Sequence, residues 1–289
     1  MIVGTRNSEL ALAQTDIFIT ALRSVYPDVQ AEIRGIVSSG DIDQTSPIDG
    51  LNGFGAFVRE LDAALLDGSI DVSVNSMKDM PIDVPGGLCI PAVLRRGAAE
   101  DVMIPCGIGD LAHGALVGTS SLRRAAILKH MRPDIRTETL RGNVRTRLSK
   151  LDSGRYDAVI LAKAGMDRLS VERKMCILSA DEFVPAPAQG AIALVCRSGD
   201  RDTVRMLSAL DDADTRTEVT IERKLMKMTG AGCSAPIGIN ASLDAGRVRL
   251  RAVSFGPGGK PVRIDAYVPA DPDDGILEKM AATLRRGVM

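Results

Sequence analysis

Along the first two thirds of the chain, short alternations of apolar and polar residues are each followed by a stripe with helical period. Met1–Thr5 predicts a strand, and Ser8 predicts the N-cap of a helix whose buried stripe runs through positions 10, 13, 17, 18 and 22. Val29–Val37 predicts a second strand. Ser38 to Ala56 has no period and is rich in Gly, Asp and Ser, the pattern of a lid loop. Phe57–Leu66 predicts an amphipathic helix closed by Gly68. Ile70–Asn75 alternates as a strand that leads into Ser76-Met77-Lys78-Asp79-Met80-Pro81, where Pro81 cannot continue a ladder. Leu88–Val93 predicts another strand and Arg95–Glu100 a surface crossover.

A second strand–helix series follows. Ala115–Val117 runs into Gly118-Thr119-Ser120-Ser121-Leu122-Arg123-Arg124 and a helix through His130. Arg136–Leu140 is a strand meeting Arg141-Gly142-Asn143-Val144-Arg145-Thr146-Arg147, which opens a helix to Leu151. Asp157–Leu161 is a strand that precedes Lys163–Arg168, and Ala191–Cys196 is a buried strand after Pro185–Gly190. This alternation predicts an α/β fold with largely parallel sheets and crossover helices. From Asp200 the pattern changes to helices at about 201–211 and 215–228, strands at 237–243, 247–255 and 262–268 with a Gly-rich turn at 256–259, and a last helix at 275–286. That predicts a small, separate α+β domain.

Composition narrows the function. The 289 residues are 45% hydrophobic, enough for two or three globular domains. With 36 Lys+Arg against 37 Asp+Glu the net charge is −1, so no nucleic-acid or membrane partner is expected from bulk charge. Aromatic residues are 3% of the chain, which removes the stacking platforms of a single-strand binder. Met1 to Thr15 lacks a basic segment followed by a long apolar run, and no uncharged apolar stretch reaches the roughly 18 residues of a membrane span. Five widely spaced cysteines without a CxxC predict a cytoplasmic protein with no disulfide framework. Two unclustered histidines, His113 and His130, predict no metal site and no histidine-dependent triad.

Chemistry is therefore expected from Asp, Lys, Arg, Ser, Thr or Cys. Lys78 and Asp79 sit just past the carboxyl end of a strand, the edge where open α/β sheets bind ligands. Arg6 lies in the turn before the first helix. Thr119, Ser120 and Ser121 bring hydroxyls to a helix N-terminus, and Arg123 and Arg124 add guanidinium forks suited to carboxylate or phosphate. Arg141, Arg145, Arg147 and Arg168 recur at further strand-to-helix junctions. In a near-neutral chain this concentration points to a small ligand with several anionic groups. Cys233, between Gly232 and Ser234, is placed like an open nucleophile, whereas Cys89 and Cys196 have the pattern of core residues. On these residues alone an enzyme and a non-catalytic anion binder both remain open.

Together the motifs resemble the porphobilinogen deaminase (hydroxymethylbilane synthase) family over nearly the full length. They are Gly4-Thr5-Arg6-Asn7-Ser8-Glu9-Leu10-Ala11-Leu12, Phe57-Val58-Arg59-Glu60-Leu61, Ser76–Pro81, Val117–Arg124, Leu140-Arg141-Gly142-Asn143-Val144 and Gly232-Cys233. The resemblance implies two α/β domains like the halves of a type II periplasmic-binding protein, with the catalytic cleft between them. Domain 1 would span 1–94 and 191–208, domain 2 would span 95–190, and a C-terminal α+β domain would span 209–289. It implies a monomeric enzyme of tetrapyrrole (haem-type) biosynthesis that joins four porphobilinogen units head to tail, each losing ammonia, and releases hydroxymethylbilane by hydrolysis. It implies a dipyrromethane cofactor held by a thioether to Cys233, with Asp79 as the catalytic acid facing a cationic pyrrole intermediate. By the same residue matching, Lys78, Ser8, Thr119, Ser120, Ser121, Arg123 and Arg124 would hold the cofactor. Arg6, Arg141, Arg147, Arg168, Gln14, Phe57, Gln189 and Gly190 would bind substrate. The chain departs from many members at Gly50 and Phe54, where lysines are common, at Asn75, where His is common, and at Arg145, where a small residue is common.

Overall fold

The computed structural model describes residues 1–37, 58–231, 235–256 and 259–288. The predicted lid at 38–56, Phe57, Cys233 with Gly232 and Ser234, and the middle of the 256–259 turn lie outside the described residues. In chain order the protein forms β1 (Ile2–Arg6), α1 (Glu9–Val25), β2 (Glu32–Ile36), α2 (Arg59–Leu66), β3 (Val72–Ser76) and β4 (Leu88–Leu94). It continues through β5 (Asp101–Ile104), β6 (Leu116–Gly118), α3 (Leu122–Met131), β7 (Arg136–Glu138), α4 (Val144–Asp152), β8 (Ala158–Ala162), α5 (Lys163–Arg168) and β9 (Cys176–Leu178). Then come β10 (Ile192–Arg197), α6 (Arg201–Ser208), α7 (Ala213–Thr229), β11 (Ile237–Asp244), β12 (Arg247–Phe255), β13 (Pro261–Pro269) and α8 (Asp274–Val288).

Two compact units result. The first comprises Met1–Gly97 and Ala191–Arg216, and the second Ala98–Gly190 and Thr217–Met289. The sheet of the first unit has the order β2-β1-β3-β10-β4. Strands β2, β1 and β3 are parallel, while β10 runs antiparallel to both β3 and β4. Its core joins Phe18, Ile19 and Leu22 of α1 to Val3, Val72, Val74, Leu194 and Cys196 of the sheet. Cys196 is fully buried, and its Sγ lies 3.9 Å from that of Cys89 on the neighbouring strand.

The second unit holds a sheet of order β7-β6-β8-β5-β9 and the C-terminal meander β11-β12-β13. Here β5 is the antiparallel strand, against β8 and β9. Both faces of this sheet are covered. Met103, Ala158 and Ile160 pack with Ile127, Leu128, Val253 and Phe255, whereas Val102, Ile104, Val159 and Leu161 pack with Leu148 and Met166. Strands buried on both faces read as continuous apolar runs, which is why Ala158–Ala162 shows no alternation.

The α/β class and the small C-terminal sheet are as the sequence predicts. The two five-stranded sheets are largely parallel, as the alternation predicts, with one reversed strand in each, β10 in the first unit and β5 in the second. The four residues of β5 and the three of β9 are too short for a periodic pattern to register.

Candidate active site

The carboxyl edge of the first unit's sheet gathers one group of predicted residues. Arg6 ends β1, and Ser8 caps α1 by accepting the Ala11 N–H at 3.3 Å. Gln14, buried on α1, donates Nε2 to the Ser76 hydroxyl at 2.7 Å and so ties the helix to the end of β3. Beyond Ser76 the chain makes a single 3-10 turn, Met77–Asp79, rather than extending to Pro81. Met77, its first residue, and Met80, just after it, are buried, and the Met77 N–H donates to Ala191 O at 3.1 Å. The turn therefore has two apolar anchors, and Lys78 and Asp79 between them are half-buried at the sheet edge. Asn75 is buried and donates to Ser73 Oγ at 2.8 Å, which makes it part of the strand's support.

The carboxyl edge of the second unit's sheet gathers the others. Strands β6, β7 and β8 end there, and each is followed by a helix. Gly118 closes β6 where a Cβ would lie 3.1 Å from the Tyr156 ring and 3.2 Å from Leu140. Thr119 is buried and accepts the Ser121 N–H, Ser120 donates its hydroxyl to Leu140 O at 2.7 Å, and Ser121 caps α3 by accepting the Arg124 N–H. Asn143 caps α4 through the Thr146 N–H at 2.8 Å. Arg147 Nε donates to Gly142 O at 2.8 Å, Arg141 is half-buried, and Arg145 is exposed. Arg168 Nη2 donates to Gly190 O at 2.5 Å, and burial pulls its guanidinium down to about 10, still cationic at neutral pH.

The sequence missed the residue on which three predicted ligands converge. Asp101, the first residue of β5, is fully buried. Its Oδ2 accepts from Arg123 Nη2 at 2.8 Å, and its Oδ1 accepts from Arg124 Nη2 at 2.7 Å, Arg124 Nε at 3.1 Å and Gln189 Nε2 at 2.8 Å. Burial pushes the Asp101 carboxyl up, but the two guanidinium charges and these bonds outweigh it and hold it well below the usual carboxylate range. Arg123 Nη1 and Arg124 Nη1 are taken by the carbonyls of Val184 and Ile160. Arg123 Nε is buried with no hydrogen-bond partner. Two guanidiniums against one carboxylate leave the trio with one net positive charge at the first turn of α3. The only sequence signal for Asp101 was an acid opening an apolar triplet, Val102-Met103-Ile104.

A cavity of about 430 Å³ also opens on the second unit, lined by Ile104, Pro105, Leu151, Asp152, Tyr156, Asp157, Arg173 and Lys174. It lies at the amino end of β8, opposite the edge that carries the arginines. Among the described residues no group of His, Cys, Asp and Glu could hold a metal ion, and no helix is long and apolar enough to cross a membrane.

Comparison with known proteins decides between a binder and an enzyme. Residues 1–205 match the family model "Porphobilinogen deaminase, dipyromethane cofactor binding domain", and residues 216–276 match "Porphobilinogen deaminase, C-terminal domain". The chain belongs to the porphobilinogen deaminase family. A probable porphobilinogen deaminase of Methanosarcina acetivorans is 44% identical over 276 residues, covering 93% of this chain and 86% of the relative. One of Nitrosopumilus maritimus is 38% identical over 262 residues, covering 90% and 84%. Among solved structures, the periplasmic aliphatic sulphonate binding protein SsuA from Escherichia coli aligns with a TM-score of 0.42 at 13% identity, over 78% of this chain and 69% of that one. As a member of its family the protein is a transferase of tetrapyrrole biosynthesis with a dipyrromethane cofactor-binding domain.

Proposed function

We propose that the protein joins four porphobilinogen units head to tail onto a dipyrromethane primer fixed by a thioether to Cys233, releasing ammonia at each addition and hydroxymethylbilane at the end. The observation that carries this reading is the Arg123–Arg124–Asp101 trio, two guanidiniums against one carboxylate, with its arginines in the first turn of a helix that Ser121 caps. A group bearing acetate and propionate side chains fits such a place, because helix N–H groups and guanidinium charge both favour carboxylate.

When bound, the dipyrromethane supplies the nucleophilic pyrrole carbon to which the first substrate is joined. The roles of the protein's own residues follow from their settings. Arg123 and Arg124 act as fixed charge, since both are tied to Asp101 and to backbone carbonyls. Thr119, Ser120, Ser121, Ser8 and Lys78 complete the cofactor's polar surroundings. Arg6, Arg141, Arg147, Arg168, Gln189 and Gly190 serve the substrate side, and Gln14 braces the end of β3. Asp79 meets the positive charge that develops on the substrate pyrrole as ammonia departs, and takes or returns a proton there. The short 3-10 turn suits this task, because its buried methionines fix the acid's direction.

The strand orders 2-1-3-10-4 and 7-6-8-5-9 support two sheet domains of one pattern, with the three-stranded meander as a third domain. The family reading, the free thiols among the described cysteines and the near-neutral charge support a cytoplasmic monomer without a nucleic-acid partner. The test is turnover: purified protein given porphobilinogen releases one ammonia per substrate consumed and forms a linear tetrapyrrole. Binding of porphobilinogen without ammonia release would leave a solute binder in its place.

A further inference from the structure

Asp101 occupies a junction in the chain. It lies four residues after the first passage between units, at Gly97/Ala98, and its partner Gln189 lies one residue before Gly190, where the chain passes back. Gln189 Nε2 also donates to Ala99 O at 2.7 Å, so the outgoing and returning segments are tied to each other as well as to the carboxylate. The returning segment is itself constrained. Ala188 holds φ at 58°, and its N–H donates to the buried Glu222 carboxylate at 2.5 Å. One carboxylate thus joins β5, the loop that ends at Gly190, and the first turn of α3.

A buried ion pair kept only for folding is a poor stabiliser, since apolar residues of the same volume often serve equally well. The geometry of this one points elsewhere. Every oxygen lone pair of Asp101 directed at Arg123 and Arg124 fixes a guanidinium that belongs, by its place in the fold, to the anion-binding N-terminus of α3. We propose that Asp101 is a positioning residue for the condensation reaction: it locks the two guanidiniums in place and reduces their joint charge to one, so that the site grips a single carboxylate of the bound pyrrole chain in one register. This rests on the reading that α3 opens onto the cofactor. Asp101 itself touches no ligand.

The test compares wild type, Asp101→Asn and Asp101→Glu, each produced with ample porphobilinogen and measured for intact mass, thermal midpoint, KM and kcat. Asp101→Asn, which leaves two unopposed guanidiniums, is expected to cut the fraction carrying the two-pyrrole mass by about tenfold or more. Asp101→Glu keeps the charge one methylene out of place. It is expected to load the cofactor to at least about half the wild-type level, yet raise KM about fivefold with kcat within about twofold. A purely structural role would lower the midpoint of both variants and leave KM unchanged in the folded, loaded molecules. Asp101→Asn with wild-type loading and KM overturns the proposal, and if that variant does not fold, wild-type KM in Asp101→Glu overturns it. A wild-type protein that carries no two-pyrrole mass and turns nothing over removes the functional reading itself, and this proposal with it.

Discussion

The two five-stranded sheets share a strand order and an acid at the carboxyl edge, but the two acids are wired differently. In the first unit Asp79 is half-buried on a turn held by apolar anchors. In the second, Asp101 is fully buried and saturated by two arginines and a glutamine. A third acid, Asp62 of α2, completes the contrast, because burial alone pushes its carboxyl up to about 6. Desolvation raises a carboxyl, and nearby cations or hydrogen bonds to the ionised form reverse it. On the proposed reading, the same residue type does chemistry at Asp79 and positions other groups at Asp101, and at Asp62 its burial without a cation carries a stability cost.

The comparison is broken most severely at Asp79. Asp79→Asn is expected to lower kcat by about 10²–10⁴ while the two-pyrrole mass stays attached, with a thermal midpoint close to wild type. Near-normal turnover would take the acid out of the chemistry. Asp101→Asn is expected to do the reverse to stability, costing about 3–5 kcal/mol in denaturant unfolding, because it strands buried positive charge. Equal stability of the two variants would erase the distinction between the units.

The contrast between these acids also shows what was legible. Ser8 and Ser121 announced their helices because a capping hydroxyl and its N–H are three residues apart, and local rules reach that far. Arg123 and Arg124 were legible as cations at a helix start. Their partner was not, since Asp101 lies 22 residues away from Arg123 and 88 from Gln189 along the chain. Strand β5, which carries it, has only four residues and faces apolar neighbours on both sides. The turn at Lys78–Asp79 could be placed at a strand end from Pro81, but its 3-10 form depends on the packing of Met77 and Met80.

Smaller changes sharpen the picture. Gly118→Ala would push a Cβ against Tyr156 and Leu140, costing about 1–3 kcal/mol and disturbing the start of α3 more than any site in the first unit. Circular dichroism melts of this variant should show the loss, and a wild-type midpoint would mean the ring can move aside. Asp62→Asn is the mildest. A carboxyl whose folded pKa is raised from 3.8 to about 6 binds its proton more tightly in the folded state, so its charge costs stability as pH rises through that window. The variant should therefore gain about 1 kcal/mol at pH 7, allowing for the partial exposure of the group, and the gain should vanish below about pH 4. Thermal midpoints at pH 4, 5, 6 and 7 measure it, and a gain independent of pH would assign the effect to helix propensity instead.

The predictions at Asp79 and Asp101 rest on the proposed carboxylate-rich primer on Cys233. Intact mass spectrometry of protein produced with ample porphobilinogen tests that directly. The expected result is a wild-type mass exceeding the sequence mass by two linked pyrrole units, and a Cys233→Ser mass equal to the sequence alone. An unmodified wild-type protein, or a Cys233→Ser variant that still carries the added mass, would contradict it.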